Sequence, residues 1–173
     1  ETVVGKNEDG TVSYAESTEY SYNSDHVVSE SIKTTTNPDG SETTIACSYD
    51  GNGQMTTETR VYVNSEGKTQ TVITSYTYDS EGRRISEKEE SIDPEGKTRT
   101  SSTTKKYDGQ GREIGFDSVT VESDGSTYTS QSQNVYDALG RVVYRSYENT
   151  DATGKKTGMI TTVTYQEDGS YDE

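Results

Sequence analysis

Tryptophan is missing altogether from this chain of 173 residues, which also has only one cysteine, one histidine, one phenylalanine and two prolines. Each shortage removes a possibility. A single thiol, Cys47, cannot form an internal disulfide framework. A single imidazole, His26, has no second histidine with which to build a metal cluster or a proton relay. Val, Ile, Leu, Met and Phe together number 25. That is below the roughly 20% under which a highly charged chain is suspected of disorder, and too little to fill a conventional two-layer core. Positive charge is also short. Sixteen Lys and Arg face 31 Asp and Glu, for a net charge of −15. No cationic stripe is available to displace counterions from nucleic acid or to meet an anionic bilayer. No apolar run approaches the ~18 residues of a membrane-spanning helix. No signal peptide is recognisable, and the start on Glu1 reads as that of an excised fragment.

What is abundant is Thr, Ser, Val and Tyr, the last numbering 14. Thr, Val and Tyr favour strands, and disordered chains are poor in aromatic and β-branched residues. Periodicity decides for a folded chain. Tyr22, Tyr49, Tyr78, Tyr107, Tyr136 and Tyr165 follow one another at intervals of 27, 29, 29, 29 and 29 residues. Most of them open a Gly-closed segment, clearest in Tyr78-Asp-Ser-Glu-Gly82-Arg83, Tyr107-Asp-Gly-Gln-Gly111-Arg112 and Tyr136-Asp-Ala-Leu-Gly140-Arg141. Tyr49-Asp-Gly-Asn-Gly53 lacks the Arg, Tyr165-Gln-Glu-Asp-Gly169 lacks both Asp and Arg, and Tyr22-Asn-Ser-Asp-His26 lacks the Gly. A second series of turns interleaves: Asn37-Pro-Asp-Gly40, Asn64-Ser-Glu-Gly67, Asp93-Pro-Glu-Gly96, Glu122-Ser-Asp-Gly125 and Asp151-Ala-Thr-Gly154. Asn or Asp first and Gly fourth is the signature of a type I turn closed by a left-handed glycine bulge, a hairpin connection. Segments between turns, such as Thr57–Val63 and Ser118–Glu122, alternate in the strand sense.

The expected fold is therefore all-β. Tandem 29-residue β-hairpin repeats form one array over 1–173, an extended antiparallel meander of about a dozen strands in a single-layer twisted sheet. The clear units are 22–48, 49–77, 78–106, 107–135 and 136–164, with partial units at both ends. Tyr76 and Thr74 share a face with Tyr78, and Val163 and Thr161 with Tyr165, while Ile73 and Ile160 lie opposite. Neither face is continuously apolar, which argues against a sandwich. A single hairpin cannot offset its ordering entropy of ~1.5 kcal/mol per residue, so neighbours must support one another. Strands ~4.8 Å apart separate successive motif tyrosines by ~9.6 Å, and another side chain must fill each gap. Asp79 with Arg83, Asp108 with Arg112 and Asp137 with Arg141 are expected to pair across their turns and fix register.

Candidate sites are few. His26 reads as a turn residue in place of glycine, and Cys47 as a half-buried strand residue. Acidic turns such as Asn7–Gly10 and Asp50–Gly53 lack the twelve-residue loop and bidentate Glu of a calcium site. Carboxylate pairs arise by chance among 31 acids, and a flat sheet offers no cleft for glycoside hydrolysis. The row Tyr49, Tyr78, Tyr107, Tyr136 and Tyr165 is the one feature with a binding reading, because aromatic rings on an open sheet can stack on sugars or a partner protein. We expect no enzyme, no metal and no cofactor.

At these residues the chain resembles the YD-repeat family, also called RHS repeats. The segments from Tyr78, Tyr107 and Tyr136 match its Tyr-Asp-x-x-Gly-Arg core, and weaker copies extend the likeness from Tyr22 to Tyr165. The resemblance implies hairpins of a large bacterial secreted or surface protein, related to repeats of animal teneurins. In that family they wind into a shell around toxin cargo or form extended structures, and carbohydrate binding has been suggested. The period here is longer than the family's usual one and its C-terminal core region is absent, which favours an open sheet over a closed shell. The expected function is a structural spacer or stalk segment at the bacterial cell surface or outside it. The alternatives are a glycan- or protein-binding, adhesin-like module using the tyrosine face, and part of a toxin-encapsulating shell. The open sheet edges are expected to permit end-to-end self-association.

Overall fold

The computed structural model describes residues 2–6, 12–166 and 171–172. The turns expected at Asn7–Gly10 and after Tyr165, the latter including Gly169, lie largely outside the described residues. Twelve strands form one antiparallel sheet in chain order: β1 (Thr2–Lys6), β2 (Val12–Tyr22), β3 (Val28–Thr36), β4 (Glu42–Tyr49), β5 (Met55–Val63), β6 (Thr69–Tyr78), β7 (Arg84–Ile92), β8 (Thr98–Tyr107), β9 (Glu113–Val121), β10 (Thr127–Tyr136), β11 (Val142–Thr150) and β12 (Lys156–Thr162). A short ribbon of β13 (Thr164–Tyr165) and β14 (Tyr171–Asp172) follows. The sheet is a pure meander and does not close into a barrel. No helix occurs among the described residues.

Turn chemistry accounts for the strand boundaries. In the turn after β6, the Gly82 amide donates to the Asp79 carbonyl at 3.0 Å and the Asp79 amide donates to the Arg83 carbonyl at 3.0 Å. The Asp79 side chain accepts from the amides of Glu81 and Arg83, closing the turn from inside. Asn64, Asp93, Asp108 and Asp137 do the same in their own turns. Each fourth residue sits in the left-handed region, Gly82 at φ 80°. His26 takes that position at φ 61° in the turn that has no glycine.

The two series of turns differ in one respect that composition does not announce. Beyond Asn37, Asn64, Asp93, Glu122 and Asp151 the register continues without interruption, whereas β1 and β2 slip between Gly5 and Lys6. Beyond each tyrosine it slips by one: Tyr78 pairs with Arg84 but Thr77 pairs with Ser86, leaving Ile85 as an extra residue. Ser29, Thr56, Ile114 and Val143 are the corresponding extras in other repeats. These β-bulges have a geometric reason. Residues paired across an antiparallel ladder share a face, and faces alternate along a strand. With symmetric turns and an odd period of 29, the motif tyrosine would change face in every repeat. One bulge per repeat restores it. As a result Tyr22, Tyr49, Tyr78, Tyr107 and Tyr136 all stand on one face, joined by Tyr14, Tyr20, Tyr62, Tyr76, Tyr128, Phe116 and Tyr147.

There is no conventional core. Among the described residues only Ser41, Cys47, Thr74 and Gly115 are buried, and no side chain is fully so. Cys47 is 8% exposed, deeper than the half-buried position expected from sequence. It lies with Thr74 on the tyrosine side, flanking Glu58 in one cross-strand row. Cohesion is left to the ladder hydrogen bonds and to lateral contacts between neighbouring strands.

Candidate functional site

The structure brings the motif residues of consecutive repeats together in one recurring arrangement. Within the turn, Arg83 Nε donates to Asp79 Oδ2 at 2.7 Å, and the pairs Arg112–Asp108 and Arg141–Asp137 repeat that distance. The arginine then reaches forward. Its guanidinium lies over the tyrosine ring of the next repeat: Arg83 over Tyr107 at 4.8 Å, Arg112 over Tyr136 at 4.5 Å and Arg141 over Tyr165 at 4.1 Å. The tyrosine reaches back. Tyr78 donates its hydroxyl to the Met55 carbonyl at 2.8 Å, Tyr107 to Arg84 at 3.1 Å and Tyr136 to Glu113 at 2.8 Å. Each acceptor is the first strand residue after the preceding turn, and at Tyr107 and Tyr136 both contacts coincide, a ring under a cation and a hydroxyl on a backbone carbonyl of the preceding repeat.

The side chain needed to fill the gap between tyrosines is thus the motif arginine. Where the motif lacks it, Gln54 stands in, donating its amide to the Gly82 carbonyl at 2.9 Å. At the first junction the pattern weakens, and the Tyr49 hydroxyl meets Ser31 Oγ at 3.3 Å instead of a carbonyl. A Cβ on Gly111 would lie 2.9 Å from Nη1 of Arg83, the far end of a flexible side chain that can give way, so the demand for glycine rests on its positive φ.

Electrostatics follow the same contacts. The carboxyls of Asp108 and Asp137 are held below the usual carboxylate value, chiefly by the amides of Arg112 and Arg141, against a desolvation penalty that ranks next, and then by the guanidinium bonds. Tyr76 is raised by partial burial and by Glu58 and Glu87 nearby, although Arg84 lies 5.1 Å from its ring centre.

The arrangement positions; it presents no nucleophile beside a base. Groups of acids, histidine and cysteine able to hold a metal ion are absent among the described residues. His26 lies in its turn and Cys47 within β4, each apart from the other. Sequence reasoning found the Asp–Arg pair but missed the forward stacking, the backward hydrogen bond and the bulge. The signals were present: an Arg after the Gly in three turns, and a period that is odd.

Fold and lock together define a single-layer β-hairpin solenoid in which repeats interlock by side chain as well as by ladder. No protein-family model matches the chain, and no curated protein does. Among solved structures it is similar to a porin-like protein from Bacteroides vulgatus ATCC 8482, at 12% identity and a TM-score of 0.42, covering 95% of this chain and 92% of that one. A likeness at that level carries no argument about function.

Proposed function

We propose that the chain is a structural spacer, a stalk segment of a bacterial surface or secreted protein of the YD-repeat kind. One observation carries this reading: the Asp–Arg–Tyr–carbonyl lock recurs at Tyr107 and Tyr136, and the Tyr78 hydroxyl makes the same backbone bond to its preceding repeat. A device repeated in register along a sheet transmits rigidity down its length, and an acidic surface keeps such an array soluble. Twelve strands at ~4.8 Å spacing span ~55 Å along the stack in a plate one side-chain layer thick on each face. Small-angle scattering of the purified chain tests this, with an elongated, flat particle expected. A pair-distance distribution of a compact sphere would remove the spacer reading.

A second reading, recognition of a protein or glycan by the tyrosine face, is supported by the exposure of Tyr20 and Tyr22, 55% and 60%. These rings, and not the locked ones, are where it should be tested. Substitution of both by Ala should abolish retention on whichever immobilised ligand the chain binds; retention unchanged would exclude that face.

A further inference from the structure

Charge is not shared evenly along the array. Up to Gly82 the chain has four Lys and Arg against 14 Asp and Glu, and from Arg83 onward it has 12 against 17. The faces show the same division. Opposite the motif tyrosines, β2 to β6 present Glu19, Glu30 and Glu42 but no Lys or Arg. Lys88, Lys106 and Lys156 occupy that face only from β7 onward. Lys33 with Glu16, at 2.8 Å, is the one ion pair between strands before β7 among the described residues.

Different forces therefore hold the two parts together. Between β3 and β6, Ile32, Ala46, Thr59 and Ile73 form one row across the sheet, with Thr34, Thr44, Val61 and Thr71 beside it. The buried Cys47 and Thr74 lie on the other face of the same strands. These are short-range packing contacts, which electrolyte does not screen. From β7 onward ions join the strands. Arg99 meets Glu89 at 3.7 Å and Glu122 at 3.0 Å, and Lys105 meets Glu113 at 2.9 Å. Lys106 meets Asp117 at 2.5 Å, and Lys156 meets Glu148 at 2.8 Å. These paired side chains are between a third and two-thirds exposed, so electrolyte reaches them. The guanidinium stacks of Arg83, Arg112 and Arg141 belong to the same part, while Val27 and Gln54 hold the corresponding places before it.

Salt must act on the two parts in opposite directions. At 0.01 M the Debye length is about 30 Å, and the surplus acids of the first part repel one another across several strands. At 1 M it is about 3 Å, and that repulsion is gone. The same screening weakens the exposed ion pairs and stacks of the second part. We propose that the array carries an ionic-strength-sensitive switch in its cohesion: added salt tightens β2–β6 and loosens β7–β12, moving local opening from the first part to the second. Scattering tests the shape and amide exchange tests the cohesion, so the spacer reading and the switch can fail separately.

The test is hydrogen exchange of the full chain, read by mass spectrometry in about 10 mM and about 1 M NaCl. Rates are divided by those of unfolded peptides in the same salt. Amides of β3–β5 should slow on adding salt and those of β8–β10 should quicken, each by about threefold, the worth of one exposed ion pair. Gln54→Arg supplies the guanidinium missing between Asp50 and Tyr78 and should reduce the gain in β5 and β6. Arg112→Gln removes one and should reduce the loss in β9 and β10. A uniform response along the chain, or the reverse one, would overturn the proposal. So would an undiminished loss of protection in β9 and β10 of Arg112→Gln.

Discussion

Replacing Tyr136 by Phe removes one hydroxyl and leaves the ring under Arg112 in place. The Glu113 carbonyl then loses its donor, and a single net hydrogen bond is worth about 1 kcal/mol. In a chain of this size that lowers the melting temperature by about 2–4 °C, measurable by circular dichroism. Tyr20→Phe, whose parent ring is exposed, should leave it unchanged. His26 offers the opposite experiment. A side chain held at φ 61° costs on the order of 1 kcal/mol or more, so His26→Gly should raise the denaturation midpoint slightly. A lower midpoint would show that the imidazole contributes something its turn position does not explain.

The turns carry the response to acid. The folded values of Asp108 and Asp137 are depressed, so their contribution is complete above the unfolded carboxyl value of 3.8 and is lost as pH falls through the folded value. Before that point acid helps, since protonation elsewhere relieves the self-repulsion of a chain carrying −15 at neutral pH. Thermal stability should therefore rise as pH falls from 7 toward about 4 and drop below it. Asp108→Asn should soften the drop, because Asn64 shows that asparagine makes the same two backbone bonds without titrating. Melting curves of both proteins from pH 7 to 2 check this, and parallel profiles would contradict it.

The array as a whole has few contacts beyond those between sequential strands, as expected of a quasi-one-dimensional solenoid. Excising one complete repeat, 78–106, joins Thr77 to Tyr107 and preserves both turn types and the one bulge per unit. The shortened chain should remain folded, with a lower urea midpoint and a smaller slope in proportion to its length. Excising 14 residues instead would join unlike strand ends and place later tyrosines on the wrong face, and that variant should not fold. If both variants behave alike, coupling between repeats does not depend on the lock.

Much of this was legible in the linear chain, because turn signals act locally: Asn or Asp with a Gly three residues on specifies its hairpin wherever it stands. The spacing of Tyr78, Tyr107 and Tyr136 likewise announced a repeating sheet without a core. The partners of Arg83 and Tyr107 were not legible, since they lie 24 residues apart and meet only when two hairpins stack side by side. The bulge at Ile85 was hidden for a similar reason: register is a relation between two strands, and neither strand records it alone. The need for glycine at 115 was hidden likewise, since the Ser132 carbonyl that leaves no room for a Cβ there stands on a neighbouring strand.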